Sequence, residues 1–573
     1  MERLVHRFEK AVRDRPAGGR APARPPSVSP SRIGDPLLLA RLHDAALFLR
    51  AFPRRDADVA LAERILREVP PRMEALARAG ADLSGLDDFA GVGIGGTSLT
   101  MEFSWGMSRW LLRRHGRDVS IAWDEVGSPA RLAALLSRTL PFLSERSLAD
   151  AGVGYEAWLS AALPRGRRDG GLALLVDAID GRAENDDLRA ERWDLLGVPV
   201  RWKLGASRAS RTLARFPTGR LFVDPKPLLS RRDVSVAASL APAPRVRRLD
   251  SRSGAAFLDA AREAVAVRYR ELHAFTRGNP LDVVRGDLGR GLAIWCCGLL
   301  PEHRLPLRAG YGFLLVRNGI PVGYGDAYAL GDRLDLSFNV FYAFRDGESA
   351  FAWARTVAFF RARFGTRSVL VDPYQIGREN EEAVESGAFW FYRKLGFRPA
   401  DPELDALVRR EEARILREPG RRTPPSLLRR FAGAPVLLDL PGKRALWRDV
   451  SVDGAGLGIQ RRMAASGRLP EAFRRAARIR VARALDLGPG ALSGHRVRAL
   501  EALAPFLDLV RGLSRLPAGE KKTLRALLAG KAGRSEAPSA RALARARRLA
   551  ATVASRFSIL QSRRAIPPGR GMF

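Results

Sequence analysis

Glu385-Ser-Gly-Ala-Phe-Trp-Phe-Tyr-Arg-Lys-Leu-Gly-Phe397 is the stretch whose reading decides the fold. Asn380 ahead of it is a helix-capping residue, and Glu381 and Glu382 suit the positive end of a helix dipole. Ala388, Phe391 and Leu395 follow helical spacing, and Gly396 is a stop signal. The spacing therefore predicts one helix over Asn380–Leu395, packed by its apolar side on a sheet.

Working outward, the segment ahead of that helix supplies the sheet. Ser368–Asp372 reads as a strand. Ser349–Phe364 reads as a helix that ends at Gly365. Arg333–Phe344 reads as a long strand. Tyr311–Leu330 reads as two strands joined at Asn318-Gly319, a strong hairpin signal. Leu292–Cys297 is a further strand, Gly254–Phe275 a helix, and Val246–Leu249 a strand. The expected class is α/β (α+β), a mixed sheet flanked by helices over residues 244–405.

This segment resembles the GNAT-type (N-acetyltransferase-like) acyltransferase superfamily. The last signature motif of that family reads roughly Asn-x-x-Ala-x-x-x-Tyr-x-Lys-x-Gly-Phe. Ala388, Tyr392, Lys394, Gly396 and Phe397 match it, and Glu385 stands where the family has Asn. The resemblance implies transfer of an acyl group from acetyl-CoA or another acyl-CoA to an amine acceptor. It implies that Tyr392 is the acid that protonates the departing thiolate. It also implies a cofactor loop at Arg345-Asp-Gly-Glu-Ser-Ala350, with Arg345, Gly347, Ser349 and Ala350 as binding residues. Glu348 replaces the central glycine of that loop, and Asp346 adds a second carboxylate. Two like charges about 5 Å apart repel by roughly 1 kcal/mol in water. Carboxylates there work against pyrophosphate and favour a bare helix start, capped by Ser349 or Asp346.

Alternation along Leu334–Val340 puts Leu334, Leu336, Phe338 and Val340 on one side. Asp335, Ser337 and Asn339 fall on the other. A polar stripe in a sheet covered on both faces points to a hydrated cavity. Asp335 is the expected general base, with Ser337 and Asn339 as substrate contacts. Tyr374, Gln375 and Glu379 follow the next strand at its carboxyl end, where open α/β sheets place ligands.

Composition bounds the rest. The chain has 573 residues, 97 Lys+Arg against 62 Asp+Glu, and a formal charge of +35. Eight of the basic residues are lysine and all others arginine. Such a charge draws anions: RNA, DNA, an anionic membrane surface or a phosphorylated cofactor. A transferase that draws its acyl group from aminoacyl-tRNA, as Fem-type ligases of the same fold do, is therefore one alternative. A non-catalytic GNAT-like scaffold or anion-binding module is the other. The adjacent Cys296 and Cys297 read as buried small residues in a strand, which suits a reducing, cytoplasmic setting. The six histidines are scattered, so no metal site is expected. No apolar run is long enough to span a bilayer.

Four regions are expected. Residues 1–35 are a basic helix plus a Pro/Gly/Arg linker, and 36–240 an α/β domain of unassigned topology. Residues 244–405 are the GNAT-like domain, and 436–573 a helical region. In the second, Gly91-Val-Gly-Ile-Gly-Gly96 matches Gly-x-Gly-x-x-Gly. No clear strand precedes it, so it reads as a turn rather than a dinucleotide site.

Overall fold

The computed structural model describes residues 1–13, 23–140, 145, 156–163, 168–181, 184–488 and 494–559. Of the linker expected up to residue 35, residues 15–22 lie outside them; the described part, 23–35, is packed rather than loose, with a helical turn at Pro30–Arg32 and Val28 and Ile33 buried in the main core. Among them, no helix is long and apolar enough to cross a membrane.

The class is mixed α/β, with two sheets. The smaller is antiparallel, in the order β1 (Ser98–Met101), β3 (Val200–Lys203), β2 (Val119–Ile121). The larger sheet begins with β4 (Arg245–Arg248), β5 (Gly278–Gly289), β6 (Leu292–Leu299), β7 (Ala309–Arg317) and β8 (Ile320–Leu330). It continues through β9 (Arg333–Leu336), β10 (Asn339–Val340), β11 (Ser368–Val371), β12 (Arg398–Pro399) and β13 (Val436–Asp439). Its order is β12-β13-β11-β9-β8-β7-β6-β5-β4, with β10 also on β8.

The hairpin forms at Asn318-Gly319 as the sequence indicates. Both residues have positive φ, 50° and 83°, which the type I′ turn requires and Asn and Gly tolerate. Asn318 also donates to the carbonyls of Ala51 and Phe222 at 3.0 and 2.9 Å. The turn thus ties the sheet to the chain ahead of it.

Three expectations need correction. The long strand over Arg333–Phe344 stops at Val340. The helix over Asn380–Leu395 is two, Glu381–Glu385 and Ala388–Lys394, because Gly387 turns left-handed at φ 67°. The sheet does not finish by residue 405. After an excursion through the helices Pro402–Arg417 and Pro425–Phe431, the chain returns as β13, antiparallel to both β11 and β12.

The Ser349–Phe364 helix covers one face of the sheet, where Phe313 meets Phe360 at 5.7 Å between ring centroids. The Ser251–Ala266 helix and the short His273–Thr276 helix cover the other. A Cβ added at Gly312 would lie 2.7 Å from Ala274 Cβ. This core also takes in the helices Glu2–Arg13, Pro36–Ala51 and Asp56–Arg78. Part of the 36–240 region is thus packed with the main sheet. The small sheet has its own core around Trp105, Trp193 and Trp202. A third core, built on Trp447 and the leucines of the helices beyond it, holds the C-terminal helices.

Candidate functional site

The site is set by where two neighbouring strands part. β9 runs parallel to β11 only from Arg333↔Ser368 to Asp335↔Leu370. Beyond that, β10 keeps the register of β8, with Asn339 opposite Tyr324 and Val340 opposite Gly323. β11 ends at Val371 and turns into the Pro373–Ile376 segment. The opening is a cleft of about 300 Å³. Asn339, Val340, Tyr342, Arg345 and Ser349 line one side, and Gln375, Glu382, Ser386, Phe391 and Tyr392 another. Leu47, Phe89, Arg211, Arg268 and Arg270 close it from the N-terminal part of the chain.

Of the expected cofactor loop, Arg345 and Ser349 reach the cleft. Arg345 lies over the Tyr342 ring, 3.8 Å from its centroid, and pairs with Glu382. Gly347 instead packs on Phe52, 2.6 Å from where its Cβ would be, and donates its N–H to Phe344 O at 2.9 Å. Ala350 is buried.

Glu348 overturns the electrostatic expectation. It occupies the N-cap of the Ser349–Phe364 helix, but its side chain makes no capping bond. Its carboxylate points away from the cleft. It accepts from Arg317 Nη1 at 2.6 Å, Arg290 Nη2 at 2.8 Å and Leu229 N at 3.0 Å. Burial pushes this carboxyl up, but the two guanidiniums and the amide outweigh it and hold it below the usual range. Asp346 is 65 % exposed and faces Arg13 at 3.6 Å. Neither carboxylate lines the cleft, and Glu348, at the N-cap, makes no capping bond to the first N–H groups of the helix.

Asp335 fails as a free base. Arg333 Nε and Nη2 bind its two oxygens at 2.7 and 3.1 Å, and Arg308 Nη1 adds a contact at 3.4 Å. Arg333 in turn donates to Val450 O at 2.5 Å. Asp335 therefore anchors the third core to the sheet. Its neighbours on the polar side are placed as the alternation predicts, yet only Asn339 reaches the cleft; Ser337 does not. Gln375 reaches it too. Tyr374 is 54 % exposed, and Glu379 is exposed with φ 54°, so both stand outside.

Asp326 is the carboxylate that sequence reasoning missed. It lies on β8 between Tyr324 and Tyr328, and its backbone carbonyl accepts from Ser337 N at 2.9 Å. Its side chain has no partner among the described residues, and Oδ1 is fully buried. Burial alone raises its pKa to about 7. Tyr324, two residues along the same face and about 7 Å away, lines the cleft. Tyr392 is 3 % exposed, and burial lifts its hydroxyl above the ordinary tyrosine range, so it stays protonated.

The Gly91–Gly96 loop is a turn, as expected, with a definite role. Gly93, at φ 88°, lets the backbone press on the end of the Ser251–Ala266 helix; a Cβ there would lie 1.9 Å from Val267 O. Gly93 O accepts from Arg211 N at 2.9 Å. This contact sets Arg211 beside Arg268. Cys296 and Cys297 are buried in β6, and burial raises both thiols, Cys296 to about 12, so neither is a nucleophile.

No protein-family model, no curated protein and no solved structure matches the chain.

Proposed function

We propose that the cleft is the site of a GNAT-like acyltransferase, which takes an acyl-CoA donor and an amine acceptor. The observation that carries this reading is the parting of β10 and β11 beside the start of the Ser349–Phe364 helix, with Ser349 and Tyr392 both lining the opening. Free N–H groups at a helix N-terminus favour phosphate. Of the two carboxylates that argue against phosphate in the sequence, Glu348 is paired with Arg290 and Arg317 and Asp346 faces Arg13. The donor set therefore fits: Ser349 and its neighbouring N–H groups, with Arg345, would hold the pyrophosphate, and the bound thioester supplies the activated acyl carbon.

The chain's own groups supply the proton chemistry. The amine nitrogen attacks the acyl carbon and the C–S bond breaks. Tyr392 gives its proton to the departing sulfur. The amine loses its proton to water in the cleft, and Asp326, raised to about 7 and one same-face position behind Tyr324, is the carboxylate that takes it on from there. Solvent then restores both groups.

The net charge of +35 favours an aminoacyl-tRNA donor as a second reading. Against it, Fem-type ligases pair two GNAT-like halves, and the only other sheet among the described residues has three short antiparallel strands.

Calorimetric titration of the full chain with CoA tests the first reading. Micromolar binding is expected, and no heat up to millimolar CoA would sink it. Binding of tRNA that weakens steeply with salt, without any CoA binding, would favour the second.

A further inference from the structure

The part of the cleft lined by Arg211, Arg268 and Arg270 carries a charge imbalance that the acyl-transfer reading does not use. Arg268 is 6 % exposed and lines the cleft. Its guanidinium lies flat over the Phe341 ring, 4.1 Å from the centroid. Nη1 donates to Ala264 O at 2.6 Å. Nε and Nη2 have no acceptor among the described residues, and no carboxylate pairs with this side chain. Arg211, 4 % exposed, lies close by and lines the same cleft. It uses its Nη atoms on Ala90 O and Asp44, and its Nε is buried with no partner.

Among the described residues Asp44 is the carboxylate near both, and it is already engaged by Arg211 and by His43 Nδ1 at 2.8 Å. Burial first, and the neighbouring Arg211 second, press Arg268 down to about 9, with Asp44 opposing. Arg270 completes the wall. It is stacked 3.9 Å from the Phe89 centroid and shares Glu382 with Arg345. Buried charges are normally paired, and an unpaired one costs several kcal/mol. Two buried guanidiniums sharing one carboxylate, with unused N–H groups at an open cleft, form a site short of one negative charge. Planar forks held flat on rings are suited to bidentate recognition of carboxylate or phosphate.

We propose that Arg268, supported by Arg211 and Arg270, is an oxyanion-binding subsite that holds a carboxylate or phosphate on the acceptor molecule. The anion site stands on its own geometry. Only its assignment to the acceptor rests on the acyltransferase reading, because that reading gives the donor phosphates to Ser349, its neighbouring N–H groups and Arg345.

The test uses the full chain, titrated calorimetrically with sodium phosphate and with sodium succinate against sodium chloride of equal ionic strength. At least one of the two is expected to bind with a millimolar or lower Kd. Arg268→Gln should weaken it tenfold or more without lowering the thermal midpoint in chloride. Arg268→Lys, which keeps the charge but loses the fork, should fall between. If Arg268→Gln does not fold, Arg270→Gln should show the same direction of loss. The preferred probe names the acceptor's acidic group.

Equal affinity of wild type and Arg268→Gln for both anions overturns the proposal, as does binding that chloride matches. Saturating CoA should leave the anion affinity unchanged. Displacement by CoA overturns the assignment to the acceptor. Failure of CoA to bind at all defeats the acyltransferase reading, and the phosphate and succinate arms then judge the anion site alone.

Discussion

Glu348 Oε2 accepts a hydrogen bond from Arg317 Nη1 at 2.6 Å, and the two side chains are 2 % and 4 % exposed. Removing one partner of a buried pair strands the other charge, at a cost of about 3–5 kcal/mol. Arg317→Met leaves Glu348 its bonds from Arg290 and Leu229 N, so it should lower stability to chemical denaturant by less than that, about 1.5–3 kcal/mol, whereas Arg345→Met, at an exposed pair, should change it by less than about 1 kcal/mol.

The same pair has a pH signature. The folded-state pKa of Glu348 is below its unfolded value. Its contribution is present above the unfolded value of about 4.3 and is lost as pH falls through the folded one. Glu348→Gln should destabilise the protein at pH 7, and the gap to wild type should narrow below about pH 4. A constant gap across that range would rule out the ion pair as the source.

Asp326 has the opposite sign. Its carboxyl is raised to about 7, so the folded state holds a proton that the unfolded chain has released. Its effect is a loss of stability as pH rises from about 4 to about 7, constant thereafter. Asp326→Asn should be more stable than wild type at pH 8, by on the order of 4 kcal/mol, and indistinguishable at pH 4. In transfer assays the same variant should lose the rise in rate through pH 7.

Tyr392→Phe removes a hydroxyl that has no partner among the described residues and leaves the ring packed on Phe397 at 5.5 Å. CoA affinity and thermal midpoint should be unchanged, and kcat should drop by about 10²-fold or more. A variant with full turnover would remove Tyr392 from the chemistry.

Trp447 is fully buried, donates from Nε1 to Leu543 O at 2.9 Å, and lies against Gly331. Trp447→Ala should cost about 3–5 kcal/mol. Proteolysis of this variant should start in the helices beyond 450, because Trp447 joins their core to the sheet.

Local signals account for what was legible in the sequence. Asn318-Gly319 specified its turn, Gly365 its helix end, and Asn380 its cap, which accepts from Ala383 N at 3.1 Å. The alternation at Leu334–Val340 placed the polar side correctly. What the sequence hid was set by distant arginines. Asp335 looks free until Arg308 and Arg333 are brought to it, and Glu348 looks obstructive until Arg290 and Arg317 turn it away. Arg268 and Arg211, 57 positions apart in the chain, carry no local mark among so many arginines. Their meeting depends on a glycine at 93 that reads as an ordinary turn. β13 was missed because four residues behind two helices offer almost no periodicity.

That late strand has a consequence during synthesis. β11 can pair with β9 as soon as Val371 has left the ribosome, but its other edge waits for Val436–Asp439, about 65 residues later in the chain. At 5–20 residues per second the wait is about 3–13 s. For that time Ser368–Val371 presents an open, apolar strand edge, of the kind that recruits strands from other chains. A nascent or truncated chain that stops near 405 keeps that edge indefinitely. Aggregation of such fragments would then report a missing neighbour rather than an unstable sheet.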